Sequence, residues 1–243
     1  MNATLKLDKA FTLVEMLVMM AVIGILAGLL LPALNAAKGN ARRTTCLDNL
    51  KQINAGIRMY CDDASDVAPG SKVPWILYKE RIKDYVGLKG SSSASDRIFA
   101  CPADTFHYYD TQTNGSLFFT NAPLHENKRY DYTSYWFNGF NLHATNNDRG
   151  QSWLGIGGLK LSSVKEPSRT LLVAEAPAFF PFSWHEPATP PEVPPGEWPS
   201  FNDAKDMASF VDGHVSYIKI YFEYAMAPFY NPPAGYDYKL SDD

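Results

Sequence analysis

The chain is short of basic charge. Its 243 residues carry 22 Lys and Arg against 26 Asp and Glu, a formal net charge of −4, so it has no electrostatic footprint for nucleic acid. Catalytic signatures are missing as well. There is no H-E-x-x-H, G-x-S-x-G, P-loop or dinucleotide-binding glycine pattern, and His107, His125, His143, His185 and His214 are isolated from one another in the sequence. The expectation is no enzyme, no metal and no cofactor. Cysteine is scarce: Cys46, Cys61 and Cys101 allow at most one disulfide. If Cys46 and Cys61 share a helix they lie about 22 Å apart and cannot bond to each other. That leaves Cys101 bonded to one of them, or three reduced buried thiols.

Charge is absent altogether from Met16 to Leu31. Extending the run to Phe11 and Leu34 adds only Thr12, Glu15 and Pro32 as interruptions. Such a segment reaches roughly 36 Å as a helix, enough for the roughly 30 Å hydrocarbon core of a bilayer. An all-round apolar helix of this length is a membrane span rather than the core helix of a small domain. A cleavable secretory signal fits less well, because Glu15 falls inside the apolar stretch and no A-x-A site follows. A carboxylate in lipid costs several kcal/mol unless it is paired, so Glu15 needs a partner.

Lys9-Ala10-Phe11-Thr12-Leu13-Val14-Glu15, followed by the apolar run, resembles the prepilin N-terminus of type IV pilins and type II secretion pseudopilins. The resemblance implies a short leader over residues 1–10, cut by a prepilin peptidase between Ala10 and Phe11, with methylation of the new amine. Glu15 then stands fifth (15 − 10) and Pro32 twenty-second (32 − 10), where the family has a Glu that pairs with a neighbouring subunit's amine and a Pro that bends the helix. Ala10 departs from the Gly usual before the cut. Further on, Cys46-Leu47-Asp48-Asn49-Leu50-Lys51-Gln52-Ile53, Cys101-Pro102, Ser134-Tyr135-Trp136-Phe137-Asn138 and Asp212-Gly213 are similar to motifs of a prepilin-like subfamily. That subfamily has a His ten residues before the Asp-Gly, a position held here by Asn202. Because Cys46 and Cys101 both belong to the resembling motifs, the resemblance favours them as the disulfide pair.

The organisation expected is a leader (1–10), a transmembrane and assembly helix (11–34), its amphipathic continuation (35–60) and a β-rich head (61–243). Cys46, Leu50, Ile53, Ile57 and Cys61 recur at helical steps and form one stripe for packing on the head. The texture from Asp62 onward predicts a helix end near Val67 to Pro69. Thr170 to Ala174 reads as a buried strand, and Glu186 to Pro199 as an extended proline-rich loop. Asp212-Gly213 between two apolar runs predicts a two-residue type I′ hairpin, with Phe210 opposite Val215 and Ala208 opposite Tyr217. The fold class is α+β, pilin-like: a long spine helix on an antiparallel sheet.

Asp62, Asp63 and Asp66 have calcium-like spacing, but a solvated helix end is the plainer reading. Trp136, Trp153, Trp184 and Trp198 read as core or fibre contacts before sugar platforms. Three functions fit in descending order: a structural subunit of a pilus or pseudopilus, a minor pilin-like adhesion module, and a membrane-anchored enzyme. For the first, the partners implied are a prepilin peptidase, other pilin subunits and an inner-membrane assembly platform. Its place is the bacterial inner membrane, single-pass, with the C-terminal domain periplasmic or extracellular. Lys38, Arg42 and Arg43 after the span pull the other way, since the positive-inside rule alone would keep that domain in the cytoplasm.

Overall fold

The computed structural model describes residues 11–70, 76–110, 117–139, 155–179, 182–187, 203–221 and 231–240. The leader with Ala10, Asn202, His143, Trp153, Trp198 and nearly all of the proline-rich stretch lie outside the described residues. The chain divides into two compact units, Met1–Ala41 and Arg42–Asp243.

Helix α1 (Leu13–Asp63) runs without interruption through Pro32. Proline has no N–H to give the carbonyl of Gly28, yet its φ suits a helix, so α1 tolerates it at the cost of one bond. The helix ends at Asp63, short of the Val67–Pro69 stretch expected from the sequence. Ser65 and Asp66 turn left-handed at φ 58° and 70°, and the Asp66 amide donates back to the Cys61 carbonyl. Val67 and Ala68 are instead drawn into pairing with Leu159 and Lys160. These contacts come from far along the chain, which local texture cannot register.

The head holds an antiparallel pair, β1 (His107–Asp110) and β2 (Leu117–Thr120), and a four-stranded antiparallel sheet. The sheet consists of β3 (Tyr135–Phe137), β4 (Leu171–Glu175), β5 (Lys205–Phe210) and β6 (Val215–Lys219), in the order β3-β4-β5-β6. The short helix α2 (Tyr78–Ile82) adds Tyr78 and Ile82 to the core. Every residue of β4 is buried, as its unbroken apolar run suggests for a strand covered on both faces.

The turn between β5 and β6 differs from the expected hairpin by one residue. Ser209 pairs with Val215, Ala208 with Ser216 and Met207 with Tyr217. Val211, Asp212 and Gly213 form a three-residue loop in which the Gly213 amide donates to the Phe210 carbonyl, and only Gly213 has positive φ, at 102°. That is a type I turn closed by a bulge at glycine, not a type I′ turn. The Val211 amide donates to Thr170 and the Asp212 amide to Pro167, which pulls Val211 out of the ladder. Because side chains alternate across a strand, the slip moves the residues expected opposite one another out of pairing. Glycine is still required by its φ, so Gly213→Val should destabilise the head by about 1–3 kcal/mol, read as a lower denaturation midpoint at unchanged m-value.

Candidate functional site

In the second unit, α1 presents Cys46, Asn49, Leu50, Ile53, Asn54, Gly56, Ile57 and Cys61 as its buried face. The apolar members form the stripe read from the sequence; the two asparagines were not foreseen. Asn49 Nδ2 donates to the Ala100 carbonyl at 3.0 Å and to the Tyr135 hydroxyl at 3.2 Å. Asn54 Nδ2 donates to the Phe210 carbonyl at 2.8 Å, and Arg58 to the Val211 carbonyl at 2.7 Å. Side-chain donors aimed at the carbonyls of Ala100, Phe210 and Val211 fix how this part of the helix is rotated on the sheet, which apolar packing alone does weakly.

Two of the short motifs are joined directly. Ser134 accepts from the Cys101 amide at 2.9 Å and donates to Asp104 at 2.7 Å. Asn138 donates to the carbonyls of Leu171 and Leu240, tying β3 to β4 and to the C-terminal segment. Cys46 and Cys101 are bridged, with Cα atoms 5.2 Å apart, and Cys61 is free and buried. Burial, with Asp66 and Asp62 nearby, pushes the Cys61 thiol up to about 12, leaving it a poor nucleophile.

Beside the bridge stand two groups the sequence did not single out. His185 Nε2 lies 2.9 Å from Glu175 Oε1, and that oxygen is 3.1 Å from Cys101 Sγ. The second Glu175 oxygen accepts from the Met207 amide at 3.0 Å. Nothing in the spacing of positions 46, 101, 175 and 185 foretells the cluster. A lone Glu ending an apolar strand was the available signal.

Asp206, also fully buried, has no hydrogen bond of ordinary geometry to either oxygen. Burial drives its carboxyl well above the usual range, Glu175 adds to the rise, and the Ser183 hydroxyl offsets part of it. A group with a raised folded pKa favours the fold below its unfolded pKa of 3.8 and loses that contribution as pH rises. Asp206→Asn, with the bridge intact and no added metal, should therefore raise the denaturation midpoint of the head at pH 7. The gain should vanish below about pH 4 in denaturant titrations run across pH.

In the first unit, Thr12 and Glu15 form a reciprocal cap. The Thr12 amide donates to Glu15 Oε2 at 2.9 Å, the Thr12 hydroxyl donates to the same oxygen at 2.7 Å, and the Glu15 amide donates to the Thr12 hydroxyl at 3.3 Å. T-x-x-E directly before an apolar run is the sequence pattern of a capping box, a signal at Thr12-Leu13-Val14-Glu15 that the reading of Glu15 as a charge in need of a partner passes over. Beyond the cap, sixteen large apolar side chains from Phe11 to Leu34 are each at least 48% exposed. Leaving that surface in water would cost tens of kcal/mol, so it requires lipid or other chains to cover it. By length and composition α1 can cross a membrane.

Residues 5–31 match the family model of the prokaryotic N-terminal methylation motif. The chain carries a prepilin-type N-terminus. No curated protein and no solved structure matches it. The prepilin motif supports a type IV pilin- or pseudopilin-like precursor, implies processing by a prepilin peptidase and assembly with other pilins, and suggests a structural subunit rather than an enzyme. With the apolar helix it is consistent with an inner-membrane anchor.

The remaining sequence candidates sort differently. Trp136 and Trp184 are buried and present no face for a sugar to stack on. Asp63 accepts from the Tyr85 hydroxyl and Asp66 from the Ser162 amide, so both carboxylates serve protein donors. His125 sits on Asp104 at 3.0 Å, and His214 stacks on Phe210 with ring centroids 4.2 Å apart.

Proposed function

We propose that the chain is a structural subunit of a type IV pilus or of a type II secretion pseudopilus. A prepilin peptidase cuts between Ala10 and Phe11, and the new amine is methylated. The helix is stored in the inner membrane with the head on the outer side, and an assembly platform moves it into a helical fibre. There Glu15 pairs with the Phe11 amine of a neighbouring subunit, and Pro32 lets the spine bend to follow the fibre. No nucleic acid takes part.

One observation carries this reading: a helix face with nothing to cover it, opened by a single carboxylate five positions after the proposed cut. A second copy of the same helix supplies both what the apolar face needs and the amine the carboxylate needs. A surface adhesion module would use the same anchor, but the buried tryptophans take away two of its candidate contacts.

Co-expression with a prepilin peptidase should remove ten residues (1 to 10) and leave Phe11 as a methylated N-terminus, read by mass spectrometry of the membrane protein. An intact Met1 after co-expression would overturn the proposal. A C-terminal reporter active only outside the cytoplasm tests the topology, and activity inside would place the head on the wrong side for a pilin.

A further inference from the structure

Four side chains far apart in the sequence meet inside the head. Cys46 comes from α1, Cys101 from the loop before β1, Glu175 from the end of β4 and His185 from the segment 182–187. One ligand-capable atom from each lies within 4.8 Å of all the others. Both cysteines and Glu175 are fully buried, and the His185 side chain is 3% exposed.

A structural disulfide needs none of this. A bridged sulfur carries no proton, so it offers a neighbouring carboxylate no hydrogen bond. Polar groups so deeply buried cost several kcal/mol unless something compensates them, and an apolar pair beside the bridge would avoid that cost. Two sulfurs, an imidazole nitrogen and a carboxylate oxygen converging on one point are instead the donor set of a zinc-class cation. One ligand is already oriented from outside, and the backbone that carries another is held in place. Glu175 is held through its second oxygen by the Met207 amide, and the His185 backbone amide donates to Ser183 Oγ at 2.8 Å.

We propose that reducing the Cys46–Cys101 bond converts this cluster into a buried tetrahedral site for a zinc-class divalent cation. A dithiol passes two electrons and two protons to the bridge and closes into its own disulfide, leaving two thiols. The cation then binds both sulfurs, His185 Nε2 and Glu175 Oε1. Binding releases both thiol protons, and His185 takes the metal through Nε2 as the tautomer that carries its proton on Nδ1. Metal–sulfur bonds of about 2.3 Å and metal–nitrogen or –oxygen bonds of about 2.0–2.2 Å set ligands roughly 3–4 Å apart. His185 Nε2 already stands 2.9 Å from Glu175 Oε1 and 3.8 Å from Cys101 Sγ, so the sulfur pair is what must open. Cysteines with Cα atoms 5.2 Å apart reach one ion by side-chain rotation. The proposal does not depend on the pilin reading.

The test uses the full chain in detergent micelles with cobalt(II) as the probe. The reduced protein should develop thiolate-to-cobalt charge-transfer absorption and the bands of four-coordinate cobalt, saturating at one equivalent and displaced by zinc. The oxidised protein should show neither. His185→Ala and Glu175→Gln should each weaken binding by roughly tenfold or more, as loss of even a ligand's supporting contact does. Cys61→Ser should change nothing. If reduction alone loosens the head, cobalt should restore its near-ultraviolet dichroism. A reduced chain that neither binds cobalt through sulfur nor is restored by it overturns the proposal. Binding indifferent to His185 and Glu175, or dependent on Cys61, overturns it equally.

Discussion

Glu15→Gln should leave cleavage before Phe11 and membrane insertion largely intact while sheared-fibre yield falls by about tenfold or more. In the single chain the Glu15 carboxylate accepts from the Thr12 amide and the Thr12 hydroxyl, so it is satisfied locally before any neighbour arrives. Glutamine keeps an acceptor oxygen at that place and serves a capping box as well as glutamate does. The helix start should therefore survive the substitution. What glutamine lacks is the charge. A hydrogen bond to a charged partner contributes about 1.5–3 kcal/mol, and roughly 1.4 kcal/mol is a tenfold change in an association constant. The loss recurs at each subunit joint, and with it goes the fixed stagger between neighbours that a paired buried charge specifies. Glu15→Ala provides the contrast: it removes the cap as well as the charge, so the first turn of the helix should fray while assembly falls at least as far. N-terminal sequencing of membrane fractions separates the steps. Wild-type fibre yield from Glu15→Gln would end the pairing hypothesis.

Replacing both Cys46 and Cys101 by serine should destabilise the head by about 4 kcal/mol, measured by denaturant unfolding of the metal-free protein. The bridge closes a loop with a sequence separation of 55, and the chain-entropy estimate for a loop of that length is about 4 kcal/mol. The effect is large because the bridge joins α1 to the loop that carries Ser134's hydrogen bond, so two distant parts of the core separate together in the unfolded chain. Buried serine hydroxyls beside Glu175 can find partners, which keeps the loss near the entropic figure. Cys61→Ser, at a free thiol outside the bridge, should cost far less. An unchanged midpoint in the double variant would mean the bridge constrains nothing that the packing of α1 does not already constrain.

Much of the N-terminal half was legible in order along the chain. The span shows as a run without charge, and the packing stripe as apolar residues from Cys46 to Cys61 at steps of three and four. Asn49 and Asn54 were passed over because a polar residue on a helix reads as solvent-facing until its acceptors are known. Here those acceptors are carbonyls of Ala100 and Phe210, 51 and 156 residues away. The hairpin was placed correctly but its register was not. Asp212-Gly213 announces a turn, whereas the length of the loop depends on Thr170 and Pro167, in the connection before β4, accepting the Val211 and Asp212 amides.

The sequence by itself determined that this chain has one helix too apolar for water, a carboxylate and a proline at set distances along it, and a β-rich remainder. These are properties of contiguous residues, and hydropathy and helical period act over a few turns without reference to anything else. Residue pattern left two partners open for Cys101 and a family resemblance favoured Cys46, which the structure pairs with it; tertiary structure alone decided where β5 and β6 pair, and that Glu175 and His185 gather beside a sulfur bridge. Bringing such residues together means closing long loops, and which closures are worth their entropy is settled by the packing of the whole core, not by any local pattern.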